Sequence, residues 1–417
     1  MALTNEERML KHLFDGGDWN VYESKILNLG VGAPGTDLLE NCCDIFMKAT
    51  EHRLKYEKEN NSSLLFQYGP TSGTYEARSA IAKYFTEMYQ SEVKSEDIFI
   101  TSGATQGLHV ILSTLVDFNG YIFVDEVTYM IALDTMRQFP ILNIIPVKLN
   151  KDGVDLASLE NLVKEKQFKS QNKEFWGMYY TIPTYHNPTG ILFSEQVCEG
   201  LIKLARQYDF LITCDDVYNI LYYKDNKAPK RLFAYDNKED KEFKGNVISN
   251  GSFSKILGPG VRLGWLEMPK RVKILVDNSG LAGSGGCLNN YTSGIVASLF
   301  ELGLGQQHIK RMYDAYKERM LATSEVLSKE LPEGCSSLAP KGGYFIWVTL
   351  PSDCNAAEFL KVCMAEEKIF FIPGSRFAAS TGGASNCFRL SIAFHEKSKL
   401  QDAAFRLCKC LKKYLKK

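Results

Sequence analysis

From about residue 95 to residue 267 the chain alternates short apolar runs with longer stretches that are apolar at helical spacing. Ile98–Thr101, Gly120–Asp125, Ile141–Val147, Phe175–Ile182, Phe210–Cys214 and Asn246–Asn250 have the length and composition of strands. Ala104–Leu115 and Ser194–Tyr208 have those of helices. Strand and helix in alternation predict an α/β fold, with a mostly parallel sheet between two layers of helices. Upstream, residues 26–35 begin as a short strand and break at Gly30, Gly32, Pro34 and Gly35, and residues 38–58 read as a helix. Downstream the alternation stops. Ile295–Leu331 is largely helical, with a break expected at Gly303 and Gly305. Strand-like 338–350, a helix over Ala356–Glu367, strand-like 387–394 and a terminal helix from Lys397 then predict a smaller α+β lobe.

Charge excludes some functions. The 417 residues carry 49 Lys+Arg and 49 Asp+Glu, a net charge of zero, so nothing favours nucleic acid or an anionic membrane as partner. The amino-terminal stretch is mixed in charge and lacks an apolar signal core. No apolar run reaches membrane-spanning length. The 11 cysteines are scattered, often in apolar contexts, and no histidine or cysteine partners stand at zinc spacing. Reduced thiols, a cytoplasmic location and no metal are the expectation.

The most informative stretch for chemistry is Asn250–Trp265. Its single lysine, Lys255, lies among Phe253, Ile256 and Leu257, with Arg262 nearby. Apolar and cationic surroundings lower a lysine's pKa and make it a nucleophile. Ser252, Ser254, the turn-forming glycines and the Arg262 fork suit a phosphate. An amine beside a phosphate cradle points to pyridoxal phosphate, whose aldehyde condenses with lysine. A solvated surface loop is the plainer alternative.

Other positions are ambiguous singly. Strand, small-residue turn and helix put the backbone N–H groups of Gly103, Ala104 and Thr105 at a helix start, which is an anion site or a bare turn. Tyr129 follows one strand end, where it can face a ligand or merely pack. Asn187 sits in a tight Asn-Pro-Thr-Gly turn after another. Asp215 and Asp216 end a buried strand, where one can cap a helix and the other can hold a protonated pyridine nitrogen. Residues 225–245 read as a solvated excursion. Arg389, inside a strand, suits a carboxylate clamp or a structural ion pair.

Taken together, the Ser-Phe-Ser-Lys of 252–255 followed by Gly258–Trp265, and the Pro-Thr-Tyr-His-Asn-Pro-Thr-Gly of 183–190, resemble the class I/II pyridoxal-phosphate-dependent aminotransferases of fold type I. The likeness spans nearly the whole chain and is tightest to the 2-aminoadipate, kynurenine and aromatic branch. It implies a large cofactor-binding domain over 48–305 with a seven-stranded sheet, and a small domain made of 306–417 and the N-terminal segment 1–47. It implies transfer of an amino group between an amino acid and a 2-oxo acid such as 2-oxoglutarate. By the same resemblance Lys255 forms the internal aldimine and shuttles the proton. Asp215 pairs with the pyridine nitrogen, Tyr218 and Asn187 bond the phenolic oxygen, and Tyr129 stacks on the ring. Ser102, Gly103, Ala104, Thr105, Ser252 and Arg262 hold the phosphate. Tyr68 reaches it from the second subunit of a homodimer. Arg389 binds the substrate α-carboxylate, with Gly32 and Asn187 close by. Val127 stands where many relatives have proline, and Arg8 is the only arginine before residue 53.

β-Elimination from cysteine conjugates on the same cofactor is the nearest rival. A cofactor-binding regulator is a more distant one, because too few residues precede the first strand for a DNA-binding module.

Overall fold

The computed structural model describes residues 26–338 and 340–416. Its centre is a seven-stranded sheet: β1 (Ile98–Thr101), β2 (Val116–Asp125), β3 (Asn143–Val147), β4 (Phe175–Thr181), β5 (Leu211–Asp215), β6 (Val247–Ser252) and β7 (Gly264–Glu267). The spatial order is β1-β7-β6-β5-β4-β2-β3. All neighbours run parallel except that β7 is antiparallel to both β1 and β6. Every residue of β1, β4, β5 and β6 is buried, which is the state of strands covered on both faces.

The covering helices follow from local chemistry. Ser194 caps the helix Glu195–Tyr208 by accepting from Val197 N, and Asp209 ends it in the left-handed region at φ 50°. Val197, Cys198, Leu201, Ile202 and Ala205 fall on its inner face. Burying each large aliphatic among them contributes roughly 1.5–3 kcal/mol.

The carboxyl-terminal region forms a second, four-stranded antiparallel sheet from β8 (Ser336–Ser337), β9 (Phe345–Thr349), β10 (Ile372–Pro373) and β11 (Cys387–Ser391), in the order β8-β9-β11-β10. The helices Ala356–Glu367 and Lys397–Tyr414 pack against each other beside it. Leu27–Asn28 pairs in parallel with Ile369–Phe370, so this short strand lies against the carboxyl-terminal region. Arg8 and the rest of residues 1–25 lie outside the described residues.

Several expectations need correction. β2 begins at Val116, directly after the preceding helix, rather than at Gly120, and its register shifts between Val116 and Tyr121. β7 is a strand in its own right, because Trp265 and Leu266 pair with β1 on one side and β6 on the other. Residues 281–294 are partly helical, with Gly280–Gly283 and a longer helix from Asn290. The later break falls at Gly303, in the left-handed region at φ 73°, whereas Gly305 lies inside the next helix, Leu304–Glu330. Residues 225–245 are not wholly solvated. Arg231 is buried and bonds Glu267 of β7 at 2.5 Å.

Candidate active site

The carboxyl ends of β2, β4, β5 and β6 open onto one cavity of about 170 Å³. Its walls carry Ala104, Thr105, Tyr129, Asn187, Asp215, Tyr218, Ser252, Lys255 and Arg262, which the sequence spreads over 159 positions. Ligand sites at strand carboxyl ends are the rule for open parallel sheets.

Lys255 follows β6 in a single helical turn whose start is capped by Ser252 Oγ accepting from Ser254 N at 3.1 Å. Burial, helped by the charges of Arg389 and Arg262 and opposed by Asp215, draws its amine from 10.5 to about 8. Its backbone carbonyl accepts from Tyr344 Oη at 2.5 Å and from Tyr316 Oη at 3.2 Å. The amine donates to Gly32 O at 2.6 Å.

Asp215 is buried at the end of β5. Oδ2 accepts from Tyr180 Oη at 2.7 Å, and Oδ1 has no hydrogen-bond partner among the described residues. Burial raises this carboxyl to about 6, Tyr180 and Lys255 lower it, and neighbouring Asp216 raises it. No helix follows, so neither aspartate is a helix cap. Asp216 turns the other way and accepts from Ser249 Oγ at 2.5 Å.

The helix Ala104–Leu115 begins at the wall of the same cavity, with no acidic residue in its first turn. Gly103 precedes it at φ 98°, and a Cβ there would stand 2.9 Å from Arg262 Nη2. That guanidinium donates to Ser102 O at 3.0 Å and to Ser254 Oγ at 3.4 Å. Free N–H groups, two serines and an arginine make a cradle for a dianion. Ser102 and Gly103 shape the cradle from behind and do not line the cavity.

A second cavity of about 410 Å³ adjoins the first and shares Tyr129, Asn187, Tyr218 and Lys255 with it. It adds Gly32, Val31, Ala33, Met130, Ile131, Phe345 and Arg389. Arg389 is buried. Its Nη1 donates to Asn187 Oδ1 at 2.7 Å and its Nη2 to Gly30 O at 2.6 Å, while Phe345 and Phe377 stack on it at 4.0 and 4.6 Å. No carboxylate pairs with it among the described residues, so the structural ion pair is absent there. Burial draws the guanidinium down to about 10, still charged at neutral pH. The phenols of Tyr129, at about 12, and Tyr218, well above 10, stay protonated for the same reason.

Tyr68 is not brought to either cavity. It is 77% exposed and lies against Gly285, near exposed Leu64 and Phe66. Sequence reasoning missed Tyr180, Phe345, Tyr316 and Tyr344, because a tyrosine or phenylalanine in an apolar run gives no sign of which face it takes. Only strand alternation carried a hint, since Tyr179 and Tyr180 must point to opposite faces.

The residues fit pyridoxal phosphate. The orphaned, buried Asp215 Oδ1 lacks a donor such as a protonated ring nitrogen, and the phosphate cradle and a lysine with a lowered pKa line the same cavity.

Comparison with known proteins agrees. Residues 24–407 match the model of the family aminotransferase class I and II. The chain is 29% identical over 401 residues to the aromatic-amino-acid aminotransferase 1 of Thermococcus litoralis, covering 95% of this chain and 90% of that one. A Pyrococcus horikoshii kynurenine aminotransferase solved in complex with PMP superposes with a TM-score of 0.80 at 29% identity, covering 100% and 96% of the two chains. The α-aminoadipate aminotransferase of Thermus thermophilus, complexed with N-(5'-phosphopyridoxyl)-L-leucine, gives 0.79 at 25% identity and covers 99% and 100%. The chain belongs to the class I and II aminotransferases, pyridoxal-phosphate-dependent enzymes of fold type I.

Proposed function

We propose that this aminotransferase takes amino acids with large, mostly apolar side chains, of the aromatic or kynurenine type, as donors to a 2-oxo acid. The observation that carries the reading is the makeup of the second cavity. Its one guanidinium, Arg389, lies beside Lys255, and Val31, Ala33, Met130, Ile131 and Phe345 form apolar wall. A side chain placed there gains by leaving water, whereas a distal carboxylate loses its hydration.

When bound, pyridoxal phosphate supplies an aldehyde for the amino group and a ring that draws negative charge from the substrate Cα. The protein does the rest. Asp215 Oδ1 would accept the ring N–H and keep that nitrogen protonated, while Tyr180 holds the other carboxylate oxygen. Tyr218 and Asn187 would hold the phenolic oxygen, and Tyr129 would lie against the ring. Ser252, Arg262, Ala104 and Thr105, shaped by Ser102 and Gly103, take the phosphate. Lys255 Nζ, free of its link to the cofactor, would take the Cα proton and deliver it to the cofactor's aldehyde carbon, two bonds from Cα, which is general acid–base catalysis by one group. Arg389 grips the α-carboxylate bidentately and fixes which Cα bond faces the lysine.

Tyr68 acts from the partner subunit of a homodimer. Its 77% exposure, beside Leu64 at 66% and Phe66 at 69%, supports a surface covered by a second copy. The large lobe runs over 48–305 and the small lobe over 306–417.

The test is a reaction of cofactor-loaded protein with L-phenylalanine or L-kynurenine and a 2-oxo acid. With the donor alone the cofactor's visible band should fall as the donor's 2-oxo acid is released, and adding the second 2-oxo acid should restore the band as a new amino acid forms. Release of ammonia without a new amino acid would overturn transamination. Mixing inactive Lys255→Ala and Tyr68→Ala chains should restore activity in hybrid dimers, and failure to do so would remove Tyr68 from the site.

A further inference from the structure

Away from the walls of both cavities, a fully buried carboxylate meets a fully buried imidazole. Asp125 and His186 are both 0% exposed, with His186 Nε2 3.2 Å from Asp125 Oδ2. The carboxylate collects two more donors from β4, Tyr179 Oη at 2.5 Å on Oδ1 and Thr181 Oγ1 at 2.8 Å on Oδ2. The second imidazole nitrogen, Nδ1, lies 2.8 Å from Thr189 Oγ1. The backbone of His186 is tied as well, its N–H to Ile191 O at 2.9 Å and its C=O from Gly190 N at 2.6 Å. Every hydrogen-bonding atom of the imidazole and both carboxylate oxygens are therefore engaged.

Position gives this network its meaning. Asp125 ends β2, four residues before Tyr129, and His186 immediately precedes Asn187. Tyr129 and Asn187 line both cavities, whereas Asp125 and His186 line neither. Asn187 also holds Arg389 Nη1 at 2.7 Å. We propose that the Asp125–His186 pair is a positioning device that fixes Asn187 and Tyr129 relative to one another, and through Asn187 sets the orientation of Arg389. Filling space alone would be served as well by apolar side chains, since a buried polar pair is often no more stabilising than well-packed apolar groups of the same volume. A directional bond between the end of one strand and the turn after another holds a distance that apolar contact leaves loose.

The inference rests on the aminotransferase reading, and one set of measurements separates the two. Cofactor-loaded wild type, His186→Leu, His186→Gln and Thr189→Val are compared by three readouts: the pH midpoint of the cofactor's visible absorption, the affinity for the unreactive carboxylate 3-phenylpropionate, and the melting temperature. In His186→Leu the absorption midpoint should move by about one pH unit. The same change should weaken 3-phenylpropionate about tenfold, as displaced positioning groups do. His186→Gln, which keeps a donor toward Asp125, should recover most of both. Thr189→Val, the mildest change, should shift both in the same direction by about twofold. A lower melting temperature with midpoint and affinity unchanged would make His186 a core residue only and overturn the proposal. Should His186→Leu not fold, unchanged readouts in Thr189→Val and His186→Gln would overturn it equally. If wild type itself showed no visible cofactor band, the underlying reading would fail instead.

Discussion

The side-chain amine of Lys255 donates a 2.6 Å hydrogen bond to the backbone carbonyl of Gly32, 223 residues away in sequence. The bond spans the boundary between the two cavities, so the amine is held where cofactor and substrate must meet. Close packing enforces it. A Cβ at Gly32 would fall 2.8 Å from the ring of Phe345, which itself lies under Arg389.

Capture of the cofactor should track the Lys255 amine. At about 8, against an ordinary 10.5, roughly a fifth of the amine is neutral at pH 7.4, compared with about one in a thousand for free lysine. The rate at which cofactor-free protein takes up pyridoxal phosphate should therefore rise with pH and level off above about 8. Borohydride reduction should then leave the pyridoxyl group on position 255. Lys255→Ala should lose that label and about 10³-fold or more of turnover. A capture rate still climbing steeply at pH 10 would show that the amine is not depressed.

Asp215→Asn should separate stability from function. The folded protein holds the Asp215 proton up to about pH 6, whereas the unfolded chain releases it near 3.8. The penalty for burying the charge is absent below pH 3.8, grows through that window and is complete above 6. A shift of this size is worth about 3 kcal/mol. Cofactor-free Asp215→Asn should thus unfold at higher denaturant than wild type at pH 7, with the gap closing toward pH 4. The loaded variant should turn over about 10²-fold or more slower, since the ring nitrogen loses its anionic partner. Equal unfolding midpoints at pH 7 would refute the buried charge.

Arg389→Lys keeps a cation and loses the fork. With Asn187 Oδ1, Gly30 O and two aromatic faces shaped around a planar guanidinium, an ammonium cannot meet them together. KM for the amino donor should rise about 10²-fold in steady-state assays, while cofactor content stays at the wild-type level. Unchanged KM would move the α-carboxylate site elsewhere.

Ile131→Arg tests the apolar wall. Ile131 lines the substrate cavity and is 40% exposed, so a longer cationic side chain has room to reach water. The ratio of kcat/KM for 2-aminoadipate over phenylalanine should rise by about tenfold or more. No change in that ratio would place the substrate side chain away from residue 131.

The Arg231–Glu267 pair makes a prediction about the fold alone. Both side chains are 2% exposed, and Arg231 also lies over Tyr89 at 4.1 Å. Arg231→Met strands the Glu267 carboxylate on β7 and should remove about 3–5 kcal/mol in denaturant unfolding, whereas Arg231→Met with Glu267→Gln should recover part of it. A single variant as stable as wild type would mean that Glu267 finds another donor.

Local chemistry was readable because it acts over a few residues. Most strand positions, the helix over Ser194–Tyr208, the helix starting after Gly103 and the small polar residues around Lys255 follow from neighbours in sequence, and so did the choice of lysine and the cofactor type. Pairing partners did not follow. β7 inserts antiparallel between β1 and β6 because Trp265 and Leu266 complete two ladders at once, which no window of a dozen residues encodes. Of two adjacent aspartates, Asp215 faces the cavity and Asp216 faces Ser249 because strands alternate, and only the placement of β5 beside β6 says which face is which.

What the chain's order of residues determined alone is the inventory: one lysine made reactive by apolar neighbours, a phosphate-sized turn, a carboxylate at a strand end and an arginine able to grip an acid. What the tertiary structure decided is which of these groups stay unpaired. Burial desolvates Lys255, Asp215 and Arg389 together, and folding leaves Asp215 Oδ1 without a donor and Arg389 without an acid among the described residues. Desolvation and missing partners are properties of a three-dimensional surrounding assembled from distant segments, and they make the site ready for a ligand.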